Sequence, residues 1–155
     1  MGGYLQGLVR YGTAAFGWRR PERWLKSFDQ FTAEVDGEVV HFVHHRSPQR
    51  DAIPIVLTHG WPSSFIEFLL LAPMLANPEA HALRMPAFHV VLPSLPGYAF
   101  PRRSADGLTT TPSPAGRLHK LMRLLGSERH LPHGSDLGSD GHTYLELAEP
   151  GQLFG

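Results

Sequence analysis

Cysteine is absent from the 155-residue sequence. That excludes disulfides, thiolate nucleophiles and cysteine-ligated metals together. Lysine is scarce: Lys26 and Lys120 stand alone, so positive charge is almost all arginine. Neither sign of charge is in excess, with 14 Lys+Arg against 14 Asp+Glu. A strong whole-molecule attraction to nucleic acid or acidic membranes is thereby excluded. Long apolar runs are also missing. The densest, residues 68–75, falls far short of the roughly 18 residues of a membrane span. The first 18 residues carry Arg10 inside their apolar stretch and lack a signal-peptide layout. Gly2 opens like a myristoylation site, but Gln6 stands where Ser or Thr is needed. These features predict a soluble, cytoplasmic chain without membrane association. A hydrophobic content of 42% with three Trp argues against disorder. The length suits one domain but is short for a large α/β enzyme, which can run to about 200–250 residues.

The pattern along the chain is one of alternation. Residues 4–24 are aromatic and mildly helical, interrupted by Gly12, Gly17 and Pro21. Residues 31–43 read as two strands around Asp36-Gly37, a pair suited to a tight hairpin. Residues 53–58 are continuously apolar up to Thr58, as in a strand buried on both faces. Ser63 or Ser64 would cap a helix over about 65–75, with Glu67 in its first turn. Residues 88–92 form a second buried-strand candidate, followed by a sharp turn over 93–101 and a polar linker over 102–114. Residues 117–125 have helical periodicity and stop at Gly126. Residues 130–133 would be a third short strand, 134–138 a tight turn, and 142–147 the start of another helix. Strands alternating with helices in this way predict an α/β fold: a parallel sheet with helices on both faces.

Two segments carry chemistry. In Gly134-Ser135-Asp136-Leu137-Gly138, small residues stand two before and two after Asp136. A strand-to-helix turn this tight pushes its central side chain outward, and Cβ atoms at the flanking positions would collide. The following helix aims free N–H groups, that of Leu137 among them, at the same spot. A carboxylate needs no base to become nucleophilic, so Asp136 suits attack on carbon with formation of an enzyme ester. By pattern alone, an Asp in a Gly-rich turn is the simpler account. The second segment is His59-Gly60-Trp61-Pro62. Following a buried strand, it would aim the Trp61 N–H at the nucleophile turn, and two such donors make an oxyanion hole. Alone it reads as an ordinary Gly-Pro loop with a packed Trp. The order of the two segments, with strand–helix–strand–helix–strand between them, is what links them.

The sequence resembles epoxide hydrolases of the microsomal type, which are α/β-hydrolases with a dedicated N-terminal region. The similar stretches are Phe16-Gly17-Trp18-Arg19 with Glu22 and Leu25, Phe28 to Phe31, Val35-Asp36-Gly37, and His41-Phe42-Val43-His44 with Arg46-Ser47. Then come residues 57–64 with Glu67-Phe68, residues 91–98, and Gly134-Ser135-Asp136-Leu137-Gly138. The resemblance implies a partial α/β-hydrolase fold, divided into an N-terminal region with the first hairpin over 1–50 and the front half of the core over 51–155. It implies that Asp136 opens a small-molecule epoxide and that the Trp61 and Leu137 N–H groups hold the oxyanion of the resulting ester. A His–acid pair would release a vicinal diol, with no cofactor and no metal. His59, Gly60, Pro62, Gly134 and Gly138 would support the two turns. His59 is not expected to be the base, because the family's base lies after a lid. Lid tyrosines, acid and catalytic His all come later in the family's sequences, so the expectation is an internal piece of such an enzyme that turns over no epoxide. Two departures stand out: Pro132 falls in the strand before the turn, and Ser135 replaces a glycine usual in the family.

Other constellations are weaker. His41, His44 and His45 cluster, but on a strand His41 and His45 share one face while His44 points away. No cysteine or carboxylate completes a metal set there. Asp140 reads as a solvated residue of a helix's first turn. Arg10, Arg19, Arg20 and Arg23 surround Trp18 and Trp24, but net neutrality argues against nucleic acid. Two other readings remain open: a dehalogenase using the same Asp chemistry, and a non-catalytic remnant that binds a partner chain. The oligomeric state is not legible.

Overall fold

In the computed structural model, described for residues 2–95, 98, 114–139, 143, 151 and 153–154, five strands form one mixed sheet. The chain begins with helices α1 (Gly2–Ala14) and α2 (Arg19–Leu25). Gly17 lies between them, whereas Gly12 is inside α1 and does not interrupt it. Pro21 sits in the first turn of α2, where its missing N–H would have no helical partner anyway. Strands β1 (Gln30–Val35) and β2 (Glu38–His45) form the expected hairpin. Its two turn residues, Asp36 and Gly37, have φ of 54° and 77°. This is the left-handed pair that matches a two-residue connection to strand twist.

The remaining strands are β3 (Ile53–Thr58), β4 (Phe88–Pro93) and β5 (Leu131–Gly134), in the spatial order β1-β2-β4-β3-β5. Strand β4 runs antiparallel to β2 and parallel to β3, and β3 runs parallel to β5. The hairpin therefore extends the parallel sheet on one side, and residues from before and after position 50 share it.

Alternation along these strands builds two cores. Val43, Leu57, Val90 and Leu92 face Phe65, Phe68, Leu69, Ala72 and Ala76 on one side of the sheet. Phe42, Val56 and Val91 face the other way, against Leu121 and Met122 of helix α4 (Pro114–Leu124). Both faces are covered, which is why these strands read as unbroken apolar runs. Helix α4 is tied to the hairpin by polar contacts as well. Lys120 Nζ lies 2.7 Å from Asp36 Oδ1, and buried Arg117 pairs with Glu38. Its end is a Schellman motif: Gly126, at φ 89°, donates its N–H to the Arg123 carbonyl, and Ser127 donates to that of Met122.

The single helix expected over 65–75 is instead a 3-10 turn, Phe65–Phe68, followed by a separate α3 (Leu71–Ala76). Pro73 explains the break. It cannot donate to residue 69 and is accommodated only in a first turn, so the helix restarts at Leu71. Ser64 precedes the 3-10 turn in an extended conformation but makes no side-chain cap. The expected turn at 93–101 lies only partly within the described residues. The linker at 102–114 and the helix start at 142–147 lie almost wholly outside them.

Pro132 is accommodated by its side of the strand. Ser135 N–H reaches Thr58 O of β3, while His130 O accepts from Phe154 N–H on the opposite side. Backbone groups alternate sides along a strand, so the Pro132 nitrogen faces away from β3 and leaves that ladder intact. On this outer side the described residues show a parallel bridge of His130 with Leu153.

His44 is buried in β2, and its pKa falls to about 4, first through burial and then through the nearby Arg46, His89 and His45. A histidine harder to protonate folded than unfolded removes stability as pH falls from its unfolded value, 6.5, toward 4. Thermal melts across that window are expected to show a falling Tm. His44→Asn is expected to have a shallower slope; an unchanged slope would remove His44 as a source of the pH dependence.

Candidate active site

The β3–Phe65 connection and the β5 turn meet at the C-terminal ends of two adjacent parallel strands. This is the edge where α/β sheets place ligands. Asp136 sits at the apex of the β5 turn with φ 48°, a left-handed conformation unusual for a residue bearing a side chain. Strain of this kind persists only where the surroundings over-determine it. Here they do. Gly138 N–H bonds to Ser135 O at 2.9 Å, and Ser139 N–H to Asp136 O at 2.9 Å. Ser139 Oγ adds a bond to Asp136 O at 2.6 Å.

Three glycines let the backbones close in. A Cβ on Gly134 would lie 2.6 Å from the Gly138 carbonyl carbon. One on Gly138 would collide with the Thr58 carbonyl oxygen. One on Gly60 would lie 2.6 Å from Asp136 Cβ. The two turns are therefore packed backbone to backbone. The Trp61–Pro62 peptide bond is cis.

This packing delivers the Trp61 N–H to Asp136 Oδ2 at 2.9 Å. The Asp136 carboxyl is held below its ordinary range, first by that Trp61 backbone hydrogen bond and then by one from Leu137 N–H. Both donors favour the ionised form. The geometry brings together Asp136, Trp61 and Leu137, the three residues singled out from sequence. The Trp61 ring is 67% exposed, so this loop is not built around a packed indole.

His59 is fully buried at the root of the same loop. Its Nε2 accepts the Leu95 N–H at 3.2 Å, which places the ring proton on Nδ1, 3.0 Å from Gly60 O. Both nitrogens are engaged in holding the backbone, which suits a scaffold residue and not a proton shuttle. Sequence reasoning missed one member of this neighbourhood. Glu67, read as a helix-dipole residue, accepts a hydrogen bond from Ser135 Oγ at 3.2 Å. The signal was present in Ser135 itself, a hydroxyl where a hydrogen suffices for the turn. Among the described residues no cluster of His, Asp or Glu is arranged to hold a metal ion.

Residues 2–68 match the family described as Epoxide hydrolase N terminus. A Stigmatella aurantiaca protein provisionally named an epoxide hydrolase is 41% identical over 152 residues, covering 97% of this chain and 34% of that protein. Epoxide hydrolase 1 of Oryctolagus cuniculus is 34% identical over 157 residues, covering 98% of this chain and 34% of its own. The chain is a relative of the epoxide hydrolases. The solved structure of an enantioselective mutant of the Aspergillus niger epoxide hydrolase superposes with a TM-score of 0.84 at 34% identity, over 97% of this chain and 39% of that one. The juvenile hormone epoxide hydrolase of Bombyx mori shares the fold, with a TM-score of 0.84 at 22% identity. The sheet and its helices are thus a partial α/β-hydrolase fold. This epoxide hydrolase relative spans about a third of the length of the curated proteins it matches. No described helix is long and apolar enough to cross a membrane.

Gly138→Ala is expected to destabilise the chain by about 1–3 kcal/mol, the usual cost of overpacking. Gly7→Ala, in α1 with open space around it, is expected to be neutral or stabilising. Thermal melts of the two variants check this; equal Tm values would contradict the close backbone packing.

Proposed function

We propose that Asp136 is the nucleophile of an epoxide-opening reaction and that the Trp61 and Leu137 N–H groups form its oxyanion hole. The observation that carries this reading is the 2.9 Å bond from Trp61 N–H to Asp136 Oδ2 across two abutting turns. With Oδ2 held by the Trp61 N–H, Oδ1 is the oxygen left for attack. An Oδ1–C bond forms as the epoxide C–O bond breaks, and the departing oxygen takes a proton from an acid on the far side of the substrate. Water, deprotonated by a His–acid pair that the described residues do not supply, then adds to the carboxyl carbon of the ester. Oδ2 becomes the oxyanion and gains from both N–H groups as its charge develops. Collapse releases a vicinal diol and restores the carboxylate. Removing one donor of this kind typically costs about 3 kcal/mol of transition-state stabilisation.

The lowered Asp136 pKa supports the assignment, since a nucleophilic carboxylate must be ionised at working pH. The names of the relatives favour epoxide over haloalkane as electrophile. His59 is assigned to the scaffold and not to ester hydrolysis, because both its ring nitrogens are bonded to backbone.

The test is acid-quenched mass spectrometry after brief incubation with phenyloxirane. One added epoxide mass per chain is expected, carried by the peptide containing Asp136, and Asp136→Ala is expected to abolish it. Labelling elsewhere, or labelling unchanged in Asp136→Ala, would overturn the assignment. Halide release from a chloroalkane without epoxide labelling would favour the dehalogenase reading.

A further inference from the structure

At the opposite end of the sheet from Asp136, a cleft of about 330 Å3 opens between the loop after β2 and the C-terminal end of α4. It is of the size that small organic ligands occupy. Arg46, Arg50, His44 and His89 line it, and no carboxylate does so among the described residues. Neither guanidinium has an acidic partner within ion-pair distance among those residues.

The loop that carries both arginines is fixed from within. Ser47 N–H bonds to His89 Nδ1 at 3.1 Å, Gln49 N–H to Ser47 Oγ at 3.0 Å, and Ala52 N–H to Gln49 O at 3.3 Å. The first of these bonds also sets the His89 tautomer. With Nδ1 accepting, the ring proton sits on Nε2 and the imidazole lines the cleft as a donor. The half-buried Pro54 and Leu125 supply an apolar stretch of wall between them.

From this juxtaposition of two unpaired arginine forks, an imidazole donor and an apolar wall, we infer that the cleft binds an organic phosphate monoester. Guanidinium forks match phosphate oxygens in pairs, and two of them suit a dianion better than a single carboxylate. The apolar wall would take the organic group. The depressed protonation of His44, set first by burial and then by Arg46, agrees with a positive potential there. This site lies away from the nucleophile turn and does not depend on the proposed reaction.

The test is an amide chemical-shift titration of the full chain with phenyl phosphate, inorganic phosphate and phenylacetate at low salt. Phenyl phosphate is expected to shift the amides of Arg46, Arg50, His89, Gly126 and Ser127 saturably, and to bind more weakly as salt rises. It is expected to bind more tightly than either control. The double variant Arg46→Gln/Arg50→Gln is expected to lose about tenfold or more in affinity. Both arginines are surface residues, and an unchanged spectrum elsewhere shows that the variant is folded. No saturable shift at up to about 10 mM, or an unchanged affinity in the double variant, would overturn the site. Equal binding of phenylacetate would overturn the phosphate class, and equal binding of inorganic phosphate the organic one.

Discussion

The contact on which the site depends is the abutment of two backbone turns, residues 59–61 after β3 and 134–138 after β5. Each turn is irregular, and each leaves N–H groups that a sheet or helix would otherwise consume. Pressed together, they turn those groups on one carboxyl, that of Asp136, with the Trp61 N–H on its Oδ2. The approach needs hydrogen atoms, not methyl groups, at Gly60, Gly134 and Gly138. It also needs adjacent parallel strands, because only neighbours ending at the same level bring their loops together. The parallel pairing of β3 with β5, with Thr58 opposite Gly134, supplies that level. His59 completes the arrangement from beneath, spending both ring nitrogens on backbone atoms.

The wider fold serves this edge by burying the strands on both faces. Phe42, Val56 and Val91 turn toward α4, while Val43, Leu57, Val90 and Leu92 turn toward Phe65 and α3. Such strands are held in register by packing on each side. A slip of one residue would exchange the two core sets and separate the turns. The positive cleft at the other end uses the same strands from their opposite termini, so one sheet presents a carboxylate at one end and arginines at the other.

Much of this was legible in the sequence, and the reasons are local. The strand over 53–58 was visible because a doubly buried strand is an unbroken apolar run. The hairpin was visible because Asp36-Gly37 suits the left-handed turn it adopts. The tight turn around Asp136 was visible through its small residues, though by pattern alone it could not be told from a Gly-rich loop. The helix expected over 65–75 failed at Pro73, whose missing donor outweighs apolar periodicity. Pro132 looked like an obstacle because a sequence does not show which side of a strand a nitrogen faces. Glu67 was assigned to a helix dipole because its hydrogen-bond partner, Ser135, is distant along the chain.

The most direct measurement is a carbon-13 titration of the Asp136 side-chain carboxyl, with the Trp61 and Leu137 amide shifts followed in the same samples. Two backbone N–H groups holding one carboxylate predict a midpoint below the ordinary aspartate range, shared by the carboxyl and both amides. A midpoint at or above the ordinary value, or amides that do not follow it, would contradict the arrangement from which the proposed chemistry is built.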